Sequence, residues 1–97
     1  MARREKKPHS NELYQAILSL QNEKECFEFF KDICSDTEML TMEQRYHVAK
    51  LLEEGETYLT IQNTTNASTA TISRVGRTLS DGTGVISEVL HRMKGND

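Results

Sequence analysis

The chain has 97 residues, 36% of them hydrophobic, with no Trp and a formal charge of −3. That length sets one domain with a modest core, burying roughly 60–68% of its unfolded surface, and no apolar run reaches the ~18 residues of a membrane span. A mildly acidic whole argues weakly against a nucleic-acid partner, but the charge is unevenly spread: residues 1–10 carry Arg3, Arg4, Lys6 and Lys7 against Glu5, and from Thr57 to Ser80 there is no Asp or Glu while Arg74 and Arg77 are present. A ligand feels the field of the face it meets, so the local distribution outweighs the total.

Residues 1–10 read as a flexible basic arm, and 11–97 as a helical domain. The basic start has no apolar region behind it, so no leader is expected. The only Pro is Pro8 and no stretch alternates apolar and polar residues, so an all-α fold of six helices is expected. The first runs from about Asn11 to Leu20, with Leu13, Ile17 and Leu20 at helical spacing. Asn22 and Glu25 have capping-box spacing and open the second, through Cys26, Phe27, Phe30, Ile33 and Cys34. Ser35 and Glu38 open a short helical turn ending near Leu40. Thr41 and Gln44 form a further box and open a long helix to Glu54, stopped by a left-handed Gly55. Thr57 caps a short helix, TYLTIQNT. Thr65, Asn66 and Ala67 make a tight turn. Ser68 caps the next helix, which runs to Leu79, and Asp81 to Gly84 is a loop. The last helix carries Val85, Ile86, Val89, Leu90 and Met93 and ends at Gly95.

Two helices joined by a tight turn, at about 57–79, make a helix-turn-helix. At ~100° per residue the second helix separates into two faces. Ile72, Val75 and Leu79 fall on an apolar side, which Tyr58 and Ile61 of the preceding helix can meet. Ala70, Ser73, Arg74 and Arg77 fall on the other, with Thr69 at the flank. Small residues let a helix end approach base edges closely, and Thr and Ser hydroxyls can bond to bases. The N-terminus, capped by Ser68, attracts phosphate, and the two Arg can neutralise phosphates or read guanine. A carboxylate on this surface would repel the backbone, which accounts for the absent acids. The pattern points to double-stranded DNA. A helix-turn-helix that docks on a protein, such as transcription machinery, is the alternative, and a solvent-facing helix pair is the plain one.

EGETYLTIQNTTNASTATISRVGRTL, after the long helix MEQRYHVAKLLEE, resembles the Trp repressor family, and within it the YerC/YecD-type Trp-repressor-like proteins. The likeness spans about Asn11 to Met93. It implies an intertwined homodimer of six-helix chains, a repressor in which each helix-turn-helix reads one half-site. It also implies that Ser68, Thr69, Ala70, Thr71 and Ser73 meet DNA and that Thr78 lies near the backbone. In tryptophan-sensing members two Arg sandwich the corepressor, and by position these match Arg45 and Arg74. The residue after the second is a glycine there and Val75 here, which should crowd the indole slot. A possible effector pocket is therefore Arg45, Arg74 and Val75, without tryptophan response, and the identity of any small-molecule effector stays open.

The remaining constellations carry little. Cys26 and Cys34 read as two buried thiols of a reducing cytoplasm. His9, His47 and His91 have no ligand spacing, so no metal is expected. GTG after Asp81 lacks the strand and Lys of a phosphate loop, and no Ser, His and Asp are spaced as a triad. Phe27 and Phe30 suit a core or dimer interface, with Phe29 undecided. No cofactor, no membrane and no enzyme activity are expected.

Overall fold

The computed structural model describes residues 8–95 and is helical throughout, with six helices and no strand among those residues. The arm residues Arg3, Arg4, Lys6 and Lys7 lie outside the described residues. α1 and α2 belong to one compact unit, which ends at Ser35, and α3 to α6 to a second, which starts at Asp36. No described helix is long and apolar enough to cross a membrane.

In the first unit, α1 covers Asn11–Leu18 and is capped by Ser10, whose hydroxyl accepts from the Glu12 N–H at 3.2 Å. It stops two residues short of the expected Leu20, because Ser19 and Leu20 close the end with shorter-range bonds to the Ala16 and Ile17 carbonyls. α2 covers Glu23–Ile33. Asn22 caps it as expected, accepting from Glu25 N–H at 2.8 Å. The reciprocal bond is displaced by one residue: the Glu25 carboxylate accepts from Gln21 N–H at 3.1 Å. Cys26 and Cys34 are free and only half-buried, not buried as their apolar setting suggested. The undecided Phe29 packs edge-on against Phe30 at 5.5 Å, while Phe27 stays exposed and forms no part of this chain's own core.

In the second unit, one correction concerns α3, which runs unbroken over Asp36–Glu53. The short turn to Leu40 and the separate helix from Thr41 are a single element. The Thr41–Gln44 spacing mimics a cap, but the Gln44 amide is used elsewhere, donating to the Thr65 carbonyl at 3.0 Å, and no Gly or Pro interrupts the run. Gly55 ends α3 as expected, at φ +84°. Glu56 N–H donates to the Leu51 carbonyl and Gly55 N–H to that of Leu52, the paired bonds of a Schellman stop.

α4 covers Tyr58–Thr65, α5 Thr69–Asp81 and α6 Val85–Lys94. α5 extends two residues beyond Leu79 and takes up Asp81. Gly82 follows because a side chain there would meet the Thr78 carbonyl oxygen at 2.5 Å. The core gathers one or two residues from each helix: Val48 and Ala49 of α3, Ile61 of α4, Ala67 of the turn, Ile72 and Val75 of α5, and Leu90 of α6. Val48, Ile61 and Ile72 are fully enclosed, each worth roughly 1.5–3 kcal/mol of burial. Thus α5 is held by its own apolar face against α3 and α4. α6 adds one buried side chain and a hydrogen bond, Ser87 hydroxyl to Glu53 carboxylate at 2.6 Å.

Candidate nucleic-acid interface

The site is built from two capped helices and the turn between them. Thr57 accepts from Thr60 N–H at 3.1 Å and opens α4. Asn66 ends α4 in the left-handed conformation, φ 61°, the one such non-glycine among the described residues. Asn tolerates that region because its short polar side chain can compensate locally. Two side chains lock the turn. Thr65 hydroxyl donates to the Ile61 carbonyl at 2.7 Å and accepts from Ala67 N–H at 3.1 Å. Gln44 reaches over from α3 to the Thr65 carbonyl. Ser68 then accepts from Thr71 N–H at 3.1 Å and opens α5. Ala67, sealed into the core, fixes where the turn sits.

With Ile72 and Val75 buried, the opposite side of α5 faces outward. Ser68, Thr69, Ala70, Ser73, Arg74, Arg77 and Thr78 are all exposed. Neither Arg74 nor Arg77 is ion-paired with a described residue, whereas Arg92 of α6 pairs with Glu88 at 3.6 Å. Helices α4 and α5 carry no acid in their first turns, whereas α1, α2, α3 and α6 all do. Acids there are ordinarily stabilising by about 0.3–1 kcal/mol, so their absence leaves both ends of the pair positive.

Thr71 is the exception among the expected contacts. It is half-buried, its hydroxyl accepts from Ser68 at 3.1 Å, and it lies on the flank turned to α3. That flank borders a cavity of about 400 Å³. Arg45, Arg74 and Val75 line it together, joined by Met42 and Tyr46 of α3, Thr71 and Thr78 of α5, and Ile86 of α6. Val75 is 7% exposed and serves both as core and as cavity wall. Arg74 borders both the outer face of α5 and the cavity. Sequence alone did not place Met42, Tyr46, Ile86 or the turn-holding Gln44 at this site, since each acquires its place only through tertiary contact.

A left-handed turn between two capped helices, the second buried along one side and hydroxylic and basic along the other, defines a helix-turn-helix DNA-binding protein. Residues 9–94 match the family model described as Trp repressor protein. The chain belongs to that family, one of DNA-binding regulators. It is 45% identical over 84 residues to the uncharacterised protein YerC of Bacillus subtilis (strain 168), covering 87% of this chain and 81% of YerC. Among solved structures, a TrpR-like protein from Eubacterium eligens ATCC 27750 superposes with a TM-score of 0.85 at 48% identity, over 87% of each chain. A candidate Trp repressor from Staphylococcus aureus gives 0.84 at 46%, over 87% of this chain and 84% of that one.

Proposed function

We propose that this protein is a sequence-specific transcriptional repressor of the cytoplasm that binds double-stranded DNA as an intertwined homodimer. The observation that carries the reading is the outer face of α5: seven exposed small, hydroxylic or basic residues between Ser68 and Thr78, a stretch with no carboxylate, on a helix anchored by Ile72 and Val75 whose one acid, Asp81, is its last residue. In this reading α5 enters the major groove. Ser68, Thr69, Ala70 and Ser73 meet base edges or flanking phosphates, and Arg74, Arg77 and Thr78 meet the backbone. Two copies would present their α5 helices to half-sites about 34–36 Å apart. Val75 in place of a glycine beside Arg74 supports a regulator that does not answer to tryptophan. The cavity shared by Arg45, Arg74 and Val75 remains open to another effector.

The test is selection of bound sequences from random duplexes at about 150 mM salt, with and without free tryptophan, a salt at which specific contacts must add to nonspecific binding. A two-fold-symmetric motif recovered equally in both conditions is expected. Recovery that requires tryptophan would overturn the Val75 argument. No motif from folded protein would move the weight to a protein-docking helix-turn-helix.

A further inference from the structure

We infer that the Tyr58 hydroxyl is a DNA-backbone contact of this protein, donating to a phosphate at the edge of the groove that α5 enters; the inference rests on the DNA-binding reading above. Tyr58 is the first residue of α4 and belongs, by chemistry, with the apolar residues that could face α5. It is not enclosed: 43% of it is exposed. The phenol oxygen reaches α5 at Gly76, 3.7 Å from the point a Cβ of Gly76 would occupy and where a Leu52 methyl also approaches, at 3.8 Å. On α5, Gly76 marks the border between the two faces. Ile72 and Leu79, one turn away on one side, run into the core, and Ser73 and Ser80, one turn away on the other, are exposed. The hydroxyl is therefore carried to the rim of the outer face of α5, on the flank away from the cavity. No described residue hydrogen-bonds to it, so its donor is available to an outside acceptor.

The chemistry of the rim selects the acceptor. The exposed α5 residues next to Gly76 on this side are Ser73, Arg77 and Ser80, two hydroxyls and a cation, so an anionic oxygen is the acceptor they suit. A hydroxyl here positions the duplex and carries no sequence information, as phosphate contacts do. Because Tyr58 is neutral, it displaces no counterion, and its contribution is separable from those of Arg74 and Arg77 by salt dependence.

The experiment compares wild type with Tyr58→Phe, which keeps the ring and removes only the oxygen. Binding is measured to the duplex recovered by selection and to a scrambled duplex of equal length, over a salt series, with thermal melting of both proteins. The expected result is a loss of about tenfold in affinity, similar for both duplexes, with an unchanged salt slope and an unchanged melting temperature. Wild-type affinity in the variant for both duplexes overturns the Tyr58 assignment and leaves the DNA reading standing. A loss confined to the selected duplex overturns the phosphate assignment, since it marks a base contact. A fall in melting temperature that accounts for the loss overturns it in favour of a packing role. If wild type binds neither duplex at any salt, the DNA reading fails, and this inference with it.

Discussion

Position 76 holds a glycine in the interior of a 13-residue helix, where glycine is less favourable than alanine by about 0.8–1.0 kcal/mol. Its conformation is ordinary and helical, so no left-handed geometry requires it. A Cβ there would stand 3.7 Å from the Tyr58 oxygen and 3.8 Å from a Leu52 methyl, both normal contacts. Gly76→Ala therefore fits and should raise the free energy of unfolding by roughly 0.5–1 kcal/mol, read from urea denaturation with an unchanged slope. A destabilised Gly76→Ala protein would show that α4 must approach α5 more closely than this structure has it. The same geometry limits larger residues, because a branched side chain at 76 must displace the phenol or Leu52. Val75, one residue earlier, works the other way: it is enclosed by the core, so truncation would open the wall that separates cavity from core.

At the scale of the element, the helix-turn-helix was legible because its devices are local. Thr57 bonds Thr60, Ser68 bonds Thr71, and Asn66 takes the left-handed turn, all within a few residues and all recognisable by type and spacing. What defeated the reading was a local signal with a distant use. Thr41 and Gln44 are spaced as a cap, yet Gln44 bonds a carbonyl 21 residues away, and α3 passes straight through. The cavity was half legible for the same reason: Arg45, Arg74 and Val75 could be matched to a family pattern, but Met42, Tyr46 and Ile86 come together only once three helices pack. The capping role of Ser68 can be separated from its proposed DNA role. Ser68→Ala removes the acceptor for Thr71 N–H and should cost about 1 kcal/mol. Ser68→Asp keeps an acceptor and adds a charge that suits the helix end, so stability should match or exceed wild type. The new carboxylate would face phosphate, so its DNA affinity should fall well below that of Ser68→Ala. Thermal melts paired with duplex titrations test this, and a Ser68→Asp protein that binds DNA as well as wild type would move phosphate away from the α5 N-terminus.

At the scale of the whole molecule, what stands out is how much apolar surface each unit leaves uncovered. In the unit of α3 to α6, Leu40, Met42 and Tyr46 on α3 and Val85, Ile86 and Met93 on α6 are all at least 37% exposed, against a core of seven residues. In the unit of α1 and α2, no helix has a fully buried residue, while Leu18, Phe27 and Ile33 are each more than half exposed. A lone soluble chain rarely keeps so much large apolar surface in water. Sequence periodicity marked these residues as apolar faces but could not say whether this chain or a second one covers them, because the pattern is identical in both cases. Under the proposed homodimer the second copy covers them, and folding is tied to association. Unfolding to two separate chains then depends on protein concentration by mass action. A tenfold increase in concentration favours the dimer by about 1.4 kcal/mol, which for roughly 194 residues in two chains corresponds to a rise of about 3–5 °C in melting temperature. Melts spanning a hundredfold in concentration, with sedimentation equilibrium alongside, check this. A constant melting temperature with the mass of a single chain would mean that the exposed faces of α3 and α6 belong to some other partner. The two-fold operator expected from paired α5 helices would then fall as well, because a single helix-turn-helix reads one half-site and imposes no symmetry on its DNA.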